Sequence, residues 1–201
     1  MVTVYTKDSE GNYTVPYKAM VCSTGIDTPV AGKKHKVTSY RKRWNALQGN
    51  VYGQYATQIV GNILFHSVPY TAKKTDALEY WEYDKLGSAA SLGCIRLTVQ
   101  DAKWVYDNIV AGTIVEFYED ANPGPLGKPS ASKISNNEAC RNWDPTDTAE
   151  GNPWNAVDAI VAITNSILLE NEMESGNMIP HDSNESGSSE EIASGEEEPL
   201  I

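Results

Sequence analysis

Phe65-His66-Ser67-Val68-Pro69-Tyr70 and, further on, Ser91-Leu92-Gly93-Cys94-Ile95-Arg96-Leu97 are the two stretches on which the reading of this chain turns. The first is an apolar run ending in an imidazole, as at the end of a buried strand, and the second is a tight connection carrying a thiol. A free thiol has a pKa of about 8.5 and attacks well only when an imidazole or a set of backbone N–H groups favours its thiolate. His66 can supply that base to Cys94. Gly93 lacks a Cβ and permits a turn whose amides face a bound carbonyl, so the same turn can form an oxyanion hole. Acyl transfer through a cysteine is the chemistry these residue types suit.

Working outward, the chain reads as mainly β. Val2, Val4, Val15 and Tyr17 alternate with period two, which predicts a hairpin of residues 2 to 6 and 13 to 22 around Asp8-Ser9-Glu10-Gly11-Asn12. Further strands are expected near 34 to 40, 51 to 66 and 113 to 119. Helical spacing appears twice, over 76 to 86 and over 98 to 110, the second opening on Thr98-Val99-Gln100-Asp101. Between Tyr40 and Tyr55 a loop rich in Arg41, Lys42, Arg43, Trp44, Tyr52 and Tyr55 precedes the His66 strand. No internal repeat is present.

Charge divides the molecule. Residues 1 to 141 carry a net +3 and residues 142 to 201 a net −14, which together give the −11 of the whole. The overall acidity therefore describes the tail, and the nearly balanced body argues against nucleic acid as a partner. Cys22, Cys94 and Cys140 are an odd number without metal-ligand spacing, so neither a disulfide framework, a metal site nor a cofactor is indicated. Cys22 sits in an apolar run and reads as a buried small hydrophobe, Cys140 as an exposed thiol. His35 reads as a surface strand residue, and His181 belongs to the acidic tail. Nowhere does the sequence read as a membrane span, and a monomer is expected.

The His66 and Cys94 segments, taken with Ser23-Thr24-Gly25, Thr28-Pro29-Val30-Ala31-Gly32, Gly124-Pro125-Leu126-Gly127-Lys128-Pro129 and Trp143-Asp144-Pro145-Thr146-Asp147, resemble the L,D-transpeptidase (YkuD-type) family of bacterial cell-wall enzymes. The likeness spans roughly residues 2 to 145. Leu92 departs from the family signature, which has a His there, and the gap from His66 to Ser91 is longer than usual. The resemblance implies a β-sandwich with one or two short flanking helices and peptidoglycan stem peptides as substrate. It further implies Cys94 as nucleophile, His66 as base, Ser67 as the residue whose backbone orients the imidazole, and Gly93 in the oxyanion hole. Arg96 and Ser91, with Tyr52 and Tyr55 from a lid, are the implied substrate contacts. The family works outside the cytoplasmic membrane, is open to carbapenems and serves wall synthesis and cell shape. The abrupt strand at Met1 is accordingly read as a chain missing an export or anchor segment and a first strand.

The expected organisation is a catalytic domain over 1 to 120, a Pro/Gly-rich extension wrapping it over 121 to 150, a helix over 151 to 174 and a disordered tail over 175 to 201. Three activities fit the residues: a cross-linking acyltransferase, an L,D-carboxypeptidase-type hydrolase of the same stems, and a non-catalytic wall-binding module. Residue types alone do not separate an amine acceptor from water.

Overall fold

In the computed structural model, which describes residues 1–175, strands dominate and are arranged in three antiparallel or mixed sheets. β1 (Val2–Lys7) and β2 (Tyr13–Met20) form the expected hairpin. β3 (Lys34–Lys36) pairs with β8 (Ile114–Glu116). The largest sheet runs β4 (Arg41–Leu47), β5 (Val51–Val60), β6 (Ile63–Ser67) and β7 (Ile95–Leu97) in that order. The fold is mainly β, with no helix among the described residues long and apolar enough to cross a membrane.

The strands expected over 34–40 and 113–119 shorten to β3 and β8, and two further stretches differ in kind, each for a local reason. The single strand expected over 51 to 66 is a hairpin, because Gly61 at φ 51° and Asn62 turn the chain between Val60 and Ile63, which pair directly. The segment after Tyr40, expected as a loop, is β4, turned back on β5 by Gln48, Gly49 and Asn50, the last two at φ 92° and 59°. Long cationic side chains hide the alternation of that strand from a hydrophobicity reading.

The connection between β6 and β7 contains the other correction. A helix over 76 to 86 shrinks to α1 (Tyr80–Tyr83), because the residues before it are drawn into extended pairing: Tyr70 bridges Leu78, and the Glu79 N–H donates to the Pro69 carbonyl at 3.0 Å. α2 (Val99–Asn108) forms where expected, with the Thr98 hydroxyl accepting from the Asp101 N–H at 3.2 Å. One core cluster lies between α2 and the sheet and includes Met20, Ile59, Phe65, Leu97 and Val105. The other joins Val68, Tyr70, Leu78, Tyr83 and Val99 to Ile134.

Ile134 comes from beyond the last strand, and so does much of the polar scaffolding. Asp144 is fully buried and accepts from the Val99 N–H at 2.9 Å, while the Thr146 hydroxyl accepts from the Gln100 N–H at 3.0 Å. Two N–H groups at the start of α2 are thereby satisfied by a segment more than forty residues downstream. Burial raises the Asp144 carboxyl to about 6, against the pull of its bonds from Thr146 and Val99. Asp147 accepts from the Gln54 side-chain amide at 3.2 Å, and Asn152 ties both aspartate carbonyls together. Cys140, expected to be exposed, is buried in this segment.

Residues 1–160 form one compact unit, and residues 161–201 are grouped as a second. α3 (Pro153–Ser175) follows the Asn152 turn, with exposed apolar side chains at Val161, Ile163, Ile167 and Leu168. The disorder expected for the acidic tail concerns positions almost entirely outside the described residues.

Candidate active site

His66 lies on β6, and Cys94 immediately precedes β7, the strand that pairs with it. β6 and β7 run parallel, with Phe65 opposite Ile95, His66 opposite Arg96 and Ser67 opposite Leu97. Opposed residues share a sheet face, so His66 and Arg96 belong to one face, while Cys94 sits in the bend just before β7. Arg96 is the charged group that both His66 and Cys94 feel.

His66 is buried at 2 % exposure, and its Nδ1 lies 2.5 Å from the Ser67 carbonyl. A carbonyl only accepts, so Nδ1 carries the hydrogen and Nε2 keeps its lone pair. Burial brings the imidazole pKa down to about 4; the Ser67 bond works against this and the Arg96 charge adds to it. The imidazole is therefore neutral at pH 7. Ser67 is itself locked: its hydroxyl donates to the Val68 carbonyl at 2.8 Å and accepts from the Gln54 N–H at 2.9 Å.

Cys94 is half-buried, and its Sγ donates to the Asn62 carbonyl at 3.4 Å. Burial raises the thiol pKa; the Leu64 N–H and the Arg96 charge offset this only in part. The sequence reading pictures an imidazole that ionises the sulfur in the resting molecule. In the structure the resting pair is instead a neutral thiol and a neutral imidazole, because burial penalises both charges.

Gly53 makes room for the base. A Cβ built there would fall 2.8 Å from His66 Nδ1 and 3.0 Å from its Cγ, closer than carbon and an imidazole ring tolerate. Gly53→Ala is expected to displace the ring by a few tenths of an ångström or more and to lower acylation of Cys94 by an activated ester about 100-fold. The melting temperature should fall by only a few degrees. Stopped-flow acylation together with a circular-dichroism melt checks this; an acylation rate within threefold of wild type would show that the ring has slack.

Arg96 is a brace. Its Nη1 pairs with Glu82 Oε2 at 2.5 Å, both side chains being 15 % exposed, and its backbone exchanges hydrogen bonds with Ser23 at 2.9 and 3.0 Å. Burial works against the Glu82 carboxylate, but bonds from Lys85 and Arg96 hold its pKa below the ordinary value. Glu82 belongs to α1, so the long gap between His66 and Ser91 supplies the partner that pins Arg96. A cleft of about 370 Å³ opens here between the β4–β5 turn, α1 and the Ala90–Leu92 segment, with Arg96, Ser91, Leu92, Glu79 and Trp81 on its walls and neither Cys94 nor His66 among them. Leu92 is 56 % exposed at this rim and brings no titratable group to it.

The remaining candidates fall elsewhere. Ser91 lines the cleft, but its hydroxyl donates to the Cys94 carbonyl at 2.7 Å and holds the turn. Tyr55 does not reach the cleft: at φ 52° it packs edge-on against Tyr106 of α2, with the Arg43 guanidinium 4.0 Å from its ring centre. Tyr52 pairs its backbone with Tyr70 and lies under Lys73, while its neighbour Val51 faces the cleft. The cations of the expected lid are engaged internally, Arg41 with the Ile109 carbonyl and Lys42 over Tyr40. Residues without reactive side chains, Gly25, Thr28 and Gly53, are what the sequence reading leaves out of the site. Only the Ser23-Thr24-Gly25 and Thr28 motifs signal two of them.

Residues 3–117 match the family model described as the L,D-transpeptidase catalytic domain (YkuD). Over 115 residues the chain is 41 % identical to the Bacillus subtilis (strain 168) protein named "Putative L,D-transpeptidase YciB", a match covering 53 % of this chain and 56 % of that protein. The chain thus spans little more than half the length of this curated relative. Among solved structures, an L,D-transpeptidase from Mycobacterium tuberculosis H37Rv is 27 % identical with a TM-score of 0.39, covering 50 % of this chain and 42 % of that one. A fused Zn-dependent amidase/peptidase and peptidoglycan-binding domain-containing protein from Clostridium acetobutylicum is 33 % identical with a TM-score of 0.34, covering 48 % and 38 %.

Proposed function

Because the chain belongs to the L,D-transpeptidase catalytic domain family, we propose that it is a cysteine acyltransferase of the bacterial cell wall, acting outside the cytoplasmic membrane on peptidoglycan tetrapeptide stems. The observation that supports this reading is the parallel β6–β7 register, in which His66 stands opposite Arg96, two residues after Cys94. On this reading the Cys94 thiol leaves the Asn62 carbonyl when a donor stem binds. The sulfur attacks the carbonyl of the third stem residue while His66 takes the thiol proton. A C–S bond forms, the C–N bond to the terminal D-alanine breaks, and the amine of D-alanine leaves with that proton. An amine of a second stem then attacks the thioester, the C–S bond breaks, and the surplus proton of the amine returns through His66 to the sulfur.

In this mechanism Ser67 orients the imidazole, Gly93 allows the turn that stabilises the oxyanion, and Arg96 holds that turn against α1. Incubation of the full chain with purified tetrapeptide stems, analysed by mass spectrometry, tests the reading. Free D-alanine together with a stem dimer is the expected result. D-alanine with free tripeptide and no dimer would make the protein a hydrolase of the same site. Retention on wall sacculi without turnover would make it a binding module and overturn the proposal.

A further inference from the structure

The Thr28 side chain bridges the Gly25 segment and the turn that leads into Cys94. Its hydroxyl accepts from the Gly25 N–H at 2.8 Å and donates to the Gly93 carbonyl at 2.8 Å. The peptide bonds of the described chain are trans, and in a trans peptide the C=O and N–H point in opposite directions. Anchoring the Gly93 oxygen therefore fixes where the Cys94 N–H points.

The rest of the turn is held in the same sense. The Leu92 carbonyl accepts from the Asp27 N–H at 2.7 Å, and the Cys94 carbonyl accepts from the Ser91 hydroxyl at 2.7 Å. The Ala90 and Ser91 N–H groups donate to the Thr24 carbonyl at 2.9 and 3.0 Å. Contact between the two segments is so close that a Cβ on Gly25 would lie 2.1 Å from the Ser91 carbonyl oxygen. Three successive carbonyls, of residues 92, 93 and 94, are thus tied back. Among the described residues no backbone acceptor outside the strand ladders takes up the Cys94 N–H. A turn with its oxygens secured and the nucleophile's own N–H left over has the polarity that a developing oxyanion requires.

We propose that Thr28 is a positioning residue for acyl transfer: its hydroxyl holds the Gly93–Cys94 peptide in the one orientation that offers the Cys94 N–H to the oxygen of the tetrahedral intermediate. This rests on the reading of Cys94 as the nucleophile. Thr28→Val keeps the shape of the side chain and removes both hydrogen bonds, whereas Thr28→Ser keeps the hydroxyl.

Two probes on the full chain separate this role from a merely structural one. Iodoacetamide alkylates the Cys94 sulfur by displacing iodide from a saturated carbon, so no oxyanion develops. p-Nitrophenyl acetate acylates it through a tetrahedral oxyanion: the C–S bond forms, the C–O bond breaks and p-nitrophenolate leaves. Thr28→Val is expected to alkylate within about twofold of wild type and to acylate about 100-fold more slowly, the cost of losing one oxyanion-hole donor. Thr28→Ser is expected to acylate within about threefold of wild type. Unchanged acylation in Thr28→Val, or equal losses with both probes, overturns the inference. Should Thr28→Val not fold, Thr28→Ala compared with Thr28→Ser gives the same contrast. A wild-type protein that alkylates but is never acylated defeats the nucleophile reading itself, and this inference with it.

Discussion

Cys94→Ser is expected to abolish turnover, by a factor of about 10⁴ or more, and to leave no covalent adduct after incubation with a carbapenem. In wild type, intact-mass spectrometry should show one carbapenem added at Cys94. The resting pair is neutral, so attack requires the proton to leave the nucleophile during the step. A serine hydroxyl gives up its proton far less readily than a thiol, and an imidazole whose pKa burial holds near 4 is a weak base for it. His66→Ala should keep the sulfur but lose the acceptor for its proton. Its acylation rate should fall by about 10² to 10⁴ and then climb with pH, following the thiolate fraction up to the raised pKa of the thiol. Wild type, by contrast, should already react near neutral pH. An adduct of normal yield on the Cys94→Ser protein would place the reacting group elsewhere.

A chain ending at residue 121 is expected not to fold stably, although it contains the whole region that matches the family model. It lacks Ile134, which is 1 % exposed in the second core cluster, and Asp144 and Thr146, which satisfy the first N–H groups of α2. Losing a buried isoleucine costs about 2 to 5 kcal/mol and losing a helix cap about 1 kcal/mol. Gln54, fully buried, also loses its bond to Asp147. Together these losses rival the total stability of an ordinary domain, about 5 to 15 kcal/mol. Thermal melts of chains ending at 121 and at 160 measure the difference. A melting temperature for the shorter chain within a few degrees of the longer would show that residues 122 to 160 are an ornament and not a clasp.

The reactive side chains were legible from sequence because their chemistry is unusual wherever they stand: a thiol after glycine and an imidazole ending an apolar run restrict the possibilities. Period-two alternation exposed β1 and β2, and the Thr98 box exposed α2. What escaped is of a different physical kind. Gly53 and Gly25 act by leaving space for His66 and for Ser91, and nothing in a glycine's immediate neighbours reports which distant atom needs that space. Tyr55 reads as a lid aromatic, yet a left-handed backbone turns it onto α2, and a reading of residue types carries no dihedral angle. Arg96 was recognisable, but its partner Glu82 comes from a stretch whose helical spacing overstated one short helix. Cys140 reads as exposed because its neighbours are polar, yet its own side chain is buried.

A sulfur kept protonated against the Asn62 carbonyl has a bearing on the lifetime of the protein. Peroxide and hypochlorous acid consume thiolates, and a cysteine ionised at all times would be worn to sulfenic and then sulfinic acid between encounters with its target. On the proposed mechanism the thiol leaves that carbonyl only during attack, so its dormancy at other times would double as protection from oxidative wear.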